Sequence, residues 1–430
     1  MRGIKRSFAS ALGDCMTSEA DSRPTQPVRP AFIAGYSLAQ VGAYISFLPL
    51  FQVLLPLKAA AIDPAHKTVL LSQVGLWGAI IAALTNLAAG AISDRTTLRF
   101  GRRRPWLMAG ALGTLVAYWL VYRAQDAISL VAAVIVFQLG FNFMFAALLA
   151  VMADRVPDAQ KGLVSALFSL GYPLGTLVGT SVIGGLIVGE GARFLAIGLV
   201  LAITLIPFAL ALKDSPAEPR SDPPGLLARL SSLSIAPLAN RDFALAWSGR
   251  FLVILAFVVA QGYTLYLLQD RPVLGRPGHP PEQALALLTA VSAVANIILS
   301  LLGGLFSDRL GRRKVFVAAG ALAIAAGIAA FALAPSWPTA MLAYVLYGCG
   351  AGCYYAVDMA LVTQVLPSVR DAGKDLGLIN LSNALPQVLA PLLAVWLVQT
   401  LGADLRALFL VAAASAAVGG LIVLPIRGVR

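Results

Sequence analysis

The sequence predicts an all-α membrane protein, twelve transmembrane helices in two pseudo-symmetric six-helix bundles, and three observations carry that reading. Of its 430 residues 59% are hydrophobic and 12% charged, with a mean hydropathy of +0.83, so there is more apolar side chain than one or two water-facing cores can bury. Apolar runs recur twelve times; each can carry a helix across ~30 Å of hydrocarbon, and each is too long for a barrel strand of ~9–11 residues. The second half also echoes the first at an offset of 210 to 214 residues. A soluble enzyme, a disulfide-rich secreted domain, a disordered regulator and a nucleic-acid-binding protein are all excluded by this composition, despite the net charge of +12.

Taken in order, residues 1–30 form a polar tail with Lys5, Arg6, Arg23 and Arg29 and no apolar leader core, so it is expected to remain as a cytoplasmic tail. Spans are expected at 31–56, 72–93, 106–123, 128–153, 162–188 and 194–212, which make an N-terminal bundle over 31–212. The longest polar connection, 213–242, is rich in Pro, Ser, Asp and Arg and reads as a cytoplasmic linker. Six more spans, at 243–268, 284–306, 315–334, 339–363, 376–399 and 405–426, give a C-terminal bundle over 243–426 and a cytoplasmic end at 427–430. With the tail inside, that side holds 24 of the 32 Lys and Arg, the opposite loops hold 7, and Arg250 lies within a span. This asymmetry places both termini in the cytoplasm and the chain in the inner (cytoplasmic) membrane.

Cys15, Cys349 and Cys353 are too few and wrongly spaced for a disulfide framework or a zinc site, and His66 and His279 fall in polar connections. No metal and no cofactor is therefore expected. No nucleotide-binding glycine loop occurs, and no span carries a histidine beside a nucleophile, so the chain is not expected to be an enzyme.

The loop after span 2 is the most specific signal: Gly90-Ala-Ile-Ser-Asp94-Arg95, then Arg99 and Gly101-Arg102-Arg103-Arg104-Pro105. Its echo after span 8 reads Gly304-Leu-Phe-Ser-Asp308-Arg309, then Gly311-Arg312-Arg313-Lys314, with the aspartates 214 apart. A second echo pairs Val156-Pro157 with Leu366-Pro367, 210 apart, which together argue for a parallel duplication. Positive-inside charge would explain the arginines but not the recurring Gly-x-x-x-Asp-Arg. We therefore read Asp94, Arg95, Arg99, Arg102, Arg103, Asp308, Arg309 and Arg312 as a conformational latch, made in one conformer and broken in another.

This loop resembles the loop motif of the major facilitator superfamily, and the form at Arg99 to Pro105 is similar to the sucrose transporters among the glycoside–pentoside–hexuronide cation symporters. Asn142 to Asp154, followed by Gln160, Gly162 and Ser165, is similar to that family's helix 4, although Phe143 to Ala147 stands where plant members usually carry Gln-Gly-Pro-Cys-Arg. The resemblance implies a cavity lined by helices 1, 4, 7 and 10, and it implies that Asp154 takes up the coupling proton. The duplicated position, Gln364, is not acidic.

Arg250 is the one Lys or Arg inside a span, and an unpaired guanidinium at mid-bilayer costs ~2.5–3.5 kcal/mol on insertion scales. Asp358 of span 10 falls at similar depth and is the expected partner and a second proton-coupling candidate; a snorkelling arginine and a separate aspartate would be the alternative. Tyr36, Gln40, Tyr44, Phe47 and Phe51 recur at helical spacing in span 1 and could offer stacking and hydrogen bonds to a sugar, or simply pack. Gln138, Asn142, Gln261, Tyr347 and Tyr355 are further polar or aromatic candidates, with Arg250 as a donor to sugar hydroxyls.

The expectation is a proton-coupled symporter of a sucrose-like sugar or glycoside, another cation being an alternative coupling ion, working by alternating access in the lipid bilayer. An exporter of lipophilic compounds and a non-transporting membrane assembly factor or sensor are the rival readings.

Overall fold

The computed structural model describes residues 27–427 except 95, 158–159, 161–163, 165–166, 168–170, 215–235 and 366–371. Among the described residues the chain forms twelve long or composite helices and no strand. They are α1 (Pro30–Ile62), α2 (Lys67–Asp94), α3 (Arg104–Arg123), α4 (Ala127–Arg155), α5 (Gly171–Val178 continuing through Gly179–Leu186) and α6 (Glu190–Ala211). After the linker come α7 (Arg241–Asp270), α8 (Pro281–Leu310), α9 (Arg313–Leu333), α10 (Trp337–Gln364), α11 (Ala372–Val395 continuing through Trp396–Thr400) and α12 (Leu405–Val423). Eleven are long and apolar enough to cross a membrane; α5 is described only in its second part.

Local chemistry sets the helix ends. Asp126 and Ser129 form a capping box that starts α4, and the backbone N–H of Ser129 holds the Asp126 carboxyl below its usual range. Asn240 and Asp404 cap α7 and α12 by accepting from Phe243 N and Ala407 N. Gly311, at φ 60°, ends α8, a left-handed position that favours glycine. α1 runs six residues beyond its expected end at Pro56. A π-helical turn at Leu50–Leu54 restarts the α-helix just before Pro56, so the proline sits in a first turn where its missing N–H costs little.

The duplication is visible atom by atom. A side chain on Gly140 of α4 would meet Thr114 N, Gly113 C and Gly110 O of α3; on Gly350 of α10 it would meet Ile324 N, Ala323 C and Gly320 O of α9. Every pair is displaced by 210 residues, the offset of the Val-Pro and Leu-Pro echo. Close backbone approach without side chains lets these helices interlock. Gly350→Ala is expected to lower stability by about 1–3 kcal/mol, because a Cβ there stands 2.5 Å from Ile324 N and 2.7 Å from Gly320 O. Gly262→Ala, with nothing within 4 Å, is the control. Thermal melts in detergent check both.

The two sets of helices meet mainly through α2 on α11 and α5 on α8. We call the side where α1 begins and α12 finishes the termini end, and the other the distal end. Gly75 beside Pro391 and Gly185 beside Ala286 bring the halves close on the distal side.

Candidate functional site

Arg250, nine residues into α7, forms an ion pair with Asp358 of α10 through Nη1 and Oδ2, both side chains being under 10% exposed. Its Nη2 also donates to Asn383 Oδ1 of α11 at 3.1 Å. A charged pair at this depth is tolerable only because each ion neutralises the other. The positions 210 residues earlier are Gln40 and Leu148, both fully buried. The repeated helix packing therefore does not require ions there.

About two turns further along α7 from Arg250, rings from both halves converge. Phe257 lies 6.5 Å from Tyr172 of α5, 6.0 Å from Tyr347 and 5.4 Å from Tyr355 of α10, as ring centroids. Tyr172 in turn meets Tyr44 of α1 at 5.9 Å, and Tyr44 meets Phe145 of α4 at 5.5 Å. Gln261 sits one turn beyond Phe257: its Nε2 donates to Tyr172 Oη at 2.6 Å, and its Oε1 accepts from Gln52 Nε2 of α1 at 3.3 Å. Tyr347 Oη is buried without a hydrogen-bond partner among the described residues, and Tyr355 is 36% exposed. Six rings and two amides from α1, α4, α5, α7 and α10 thus enclose one junction between the halves. Aromatic faces beside hydrogen-bonding groups suit a small molecule with both C–H and hydroxyl surfaces.

Other sequence-derived candidates lie away from this junction. Tyr36 packs on Phe208 of α6 at 5.9 Å, and its hydroxyl accepts from Gln40 Nε2 of the same helix at 3.0 Å. Phe47 and Phe51 stack on each other and meet Phe137 of α4 at tilted angles. Asn142 Nδ2 donates to Gln138 Oε1 at 2.8 Å and its Oδ1 accepts from Asn86 Nδ2 of α2 at 2.7 Å, a clamp between α2 and α4. The structure brings together Tyr44, Gln261, Tyr347 and Tyr355, and next to them Arg250 and Asp358; Tyr36, Gln40, Gln138 and Asn142 stay inside their own half.

At the termini end, the loop between α2 and α3 wraps around Asp154. Arg102 Nη2 and Arg103 Nε contact its two oxygens at 2.5 and 2.8 Å, while Arg103 Nη1 donates to Ser93 Oγ of α2 at 2.6 Å. Asp214, just after α6, accepts from Arg103 N and Arg104 N at 2.5 and 2.9 Å and so caps α3 from outside. Gly101, at φ 102°, makes room for that carboxylate. Arg99 lies over the Phe100 ring, and Arg309 and Arg312 are exposed. The side chains of Asp94, Arg95 and Asp308 lie outside the described residues.

The distal end is closed by contacts between the halves. Lys67 Nζ meets Asp270 Oδ1 at 2.6 Å and Gln269 Oε1 at 3.2 Å; Tyr266 Oη donates to Pro56 O and Lys67 O at 3.1 and 3.2 Å; Ser72 Oγ and Tyr263 Oη are 2.7 Å apart. Arg193 Nη2 lies 3.6 Å from Glu282 Oε1.

Sequence reasoning missed Gln52, Tyr172, Phe257, Asn383 and Asp214. Gln52 and Asn383 were readable as amides inside spans, and Asp214 as a carboxylate near a helix start that lacks its own cap. Tyr172 and Phe257 carried no signal beyond ordinary packing.

The Major Facilitator Superfamily model matches residues 31–279 and 272–429. An uncharacterized MFS-type transporter, YddS, of Bacillus subtilis (strain 168) is 27% identical over 312 residues, 67% of this chain and 68% of that protein. Among solved structures, the nucleoside transporter NupG matches 91% of this chain and 99% of its own at 12% identity, with a TM-score of 0.69. The peptide transporter POT in complex with alafosfalin matches 95% and 96% at 15% identity, with a TM-score of 0.73. A bacterial homolog of the human lysosomal transporter Spinster, inward-facing and unoccupied, matches 92% and 95% at 16% identity, with a TM-score of 0.64. At these identities the structural likeness carries the fold and not the cargo.

Proposed function

The chain belongs to the major facilitator superfamily and is a membrane transporter rather than an enzyme, and we propose that it carries a neutral, hydroxyl-bearing molecule of the sugar or glycoside class in symport with a proton. The observation that carries this reading is the junction of Tyr44, Phe145, Tyr172, Phe257, Tyr347 and Tyr355 around Gln261 and Gln52. The nearest charges, Arg250 and Asp358, neutralise each other, which leaves no net charge to recognise an ionic cargo. Tyr347 Oη, buried and unpartnered among the described residues, supplies a hydrogen-bonding group that a cargo hydroxyl would satisfy.

Both termini and the linker are assigned to the cytoplasm on the basic-residue asymmetry. On that orientation the closed distal end faces outward. The boundaries 31–212 and 243–426 for the two bundles are proposed on the 210-residue repeat of the helix pairs.

Between the two candidate carboxylates, the placement favours Asp358 for proton coupling. It is buried beside the ring cluster, whereas both Asp154 oxygens are engaged by the α2–α3 loop at the termini end. Asp358→Asn is expected to abolish uphill accumulation while leaving exchange. Asp154→Asn is expected to slow turnover several-fold with the accumulation ratio intact, because it loosens a clamp. Proton-driven uptake in vesicles measures both, and the reverse pattern would return the coupling role to Asp154.

An exporter of lipophilic compounds has one observation in its favour, the excess of rings over amides at the junction. Counterflow in proteoliposomes with a panel of labelled mono- and disaccharides separates the two. Counterflow with a neutral sugar that is lost in Gln261→Ala supports the sugar reading; absence of counterflow across the panel, with transport of a lipophilic cation, replaces it.

A further inference from the structure

A groove of about 400 Å³ lies on the outer wall, between α3 and α6, away from the junction between the halves. It is lined by Pro105, Met108, Ala109, Leu112 and Leu115 of α3 and Ile206 of α6, all apolar. Leu112 is 63% exposed, so the groove opens toward lipid rather than into the bundle. From Arg104 to Leu115 is eleven residues, ~16 Å along a helix and so roughly one leaflet of hydrocarbon. The groove therefore has the depth of one acyl chain entering from the termini end.

Two basic residues flank its termini-side end in the chain, just outside the lining. Arg104 precedes Met108 by four residues and Leu112 by eight, on the same helical stripe as the lining side chains. Its guanidinium has no partner among the described residues. Lys213, exposed, follows the end of α6 seven residues after Ile206. Asp214 ties these two chain segments together: its carboxylate accepts from Arg103 N and Arg104 N. Asp214 is therefore the anion nearest the mouth, and it offsets one of the two cations; with Asp154 and Asp214 counted against Arg102, Arg103, Arg104 and Lys213, this corner of the molecule keeps an excess of about two positive charges. Arg102 and Arg103 are already taken by Asp154.

We propose that this groove is a binding site for an anionic phospholipid of the leaflet at the termini end, its phosphate between Arg104 and Lys213 and one acyl chain against Met108, Ala109, Leu112 and Ile206. An apolar slot one leaflet deep and an excess of positive charge at headgroup level are the two complementary halves of such a lipid. The bound headgroup would sit one residue from Arg103, and so beside the clamp on Asp154.

The test uses the full-length protein in neutral detergent with phosphatidylglycerol and phosphatidylcholine of identical chains, counted by native mass spectrometry and read again as a shift in melting temperature. Wild type is expected to retain one phosphatidylglycerol at least tenfold better than phosphatidylcholine, and Arg104→Gln with Lys213→Gln to erase that preference while the unliganded protein melts normally. Ala109→Phe fills the groove without touching either cation and is expected to weaken phosphatidylglycerol several-fold. The proposal is overturned by equal retention of the two lipids by wild type, or by a preference that survives the double substitution. It is overturned equally if Ala109→Phe leaves binding unchanged, or if inorganic phosphate displaces the lipid at equal concentration, since either result would mean that the cations bind a free anion and the groove plays no part.

Discussion

Removing either member of the Arg250–Asp358 pair is expected to do more damage than removing both. Arg250→Ala leaves the Asp358 carboxylate, whose residue is only 2% exposed, without its cation; Asp358→Ala leaves a guanidinium with Asn383 Oδ1 as its remaining contact. Each single change is expected to cost about 3–5 kcal/mol, because an uncompensated charge remains in a low-dielectric setting. The duplication supplies the control. At the equivalent places the first half holds Gln40 and Leu148, fully buried and without ions. The double variant Arg250→Gln with Asp358→Leu imports that solution and is expected to fold to near wild-type yield and melting temperature. Transport should not return, since neither a titratable carboxylate nor a guanidinium remains beside the ring cluster. Expression, melting temperature and proton-driven uptake of the four proteins make a double-mutant cycle. Additive losses of stability would show that the two residues act independently and would withdraw the pair from the mechanism.

Some of this architecture was legible in the sequence, for identifiable reasons. Helix number and pseudo-symmetry were readable because apolar length and repeated Gly and Pro positions are one-dimensional properties. Gly110, Gly140, Gly320 and Gly350 bear out the 210-residue offset in space. Arg250 and Asp358 could be paired in advance because a lone cation inside a span demands a partner and depth narrows the choice to one carboxylate. The side-chain stripe of α1 failed differently. Periodicity says which residues share a face, not which helix that face meets, and so Tyr36 turns to α6 while Gln40 bonds Tyr36 within its own helix. The π-helical turn at Leu50–Leu54 also shifts the helical phase of the residues beyond it, because each of its hydrogen bonds spans one extra residue. Gln52 lies within that turn, which is how it reaches Gln261 across the junction. Such partnerships depend on how one half is rotated against the other, information that no single helix carries.

That rotation is held at the distal end by few bonds, and weakening them is expected to shift the whole conformational balance. Tyr266→Phe removes a hydroxyl shared by Pro56 O and Lys67 O, worth about 0.5–1.5 kcal/mol. Lys67→Met removes the partly exposed contact with Asp270, about 0.2–1 kcal/mol after solvent screening, together with a cation 5.0 Å over the Tyr266 ring. Both changes act on contacts between the halves and leave the helix pairs within each half untouched. Their effect therefore falls on the difference between closed and open distal states rather than on folding. Together they remove about 2 kcal/mol, enough to change the open-to-closed ratio roughly thirtyfold. Spin labels on Ala65 and Val273, exposed residues of the α1–α2 and α7–α8 connections, with Cys15, Cys349 and Cys353 replaced, would read the separation across the seam. Wild type should give mainly the short distance, and the double variant mainly a longer one, with melting temperature little changed. If the distance distribution stays put while transport is lost, Lys67 and Tyr266 do not hold the seam, and the closed end is kept by Ser72 with Tyr263 and by the packing of Gly75 on Pro391 instead.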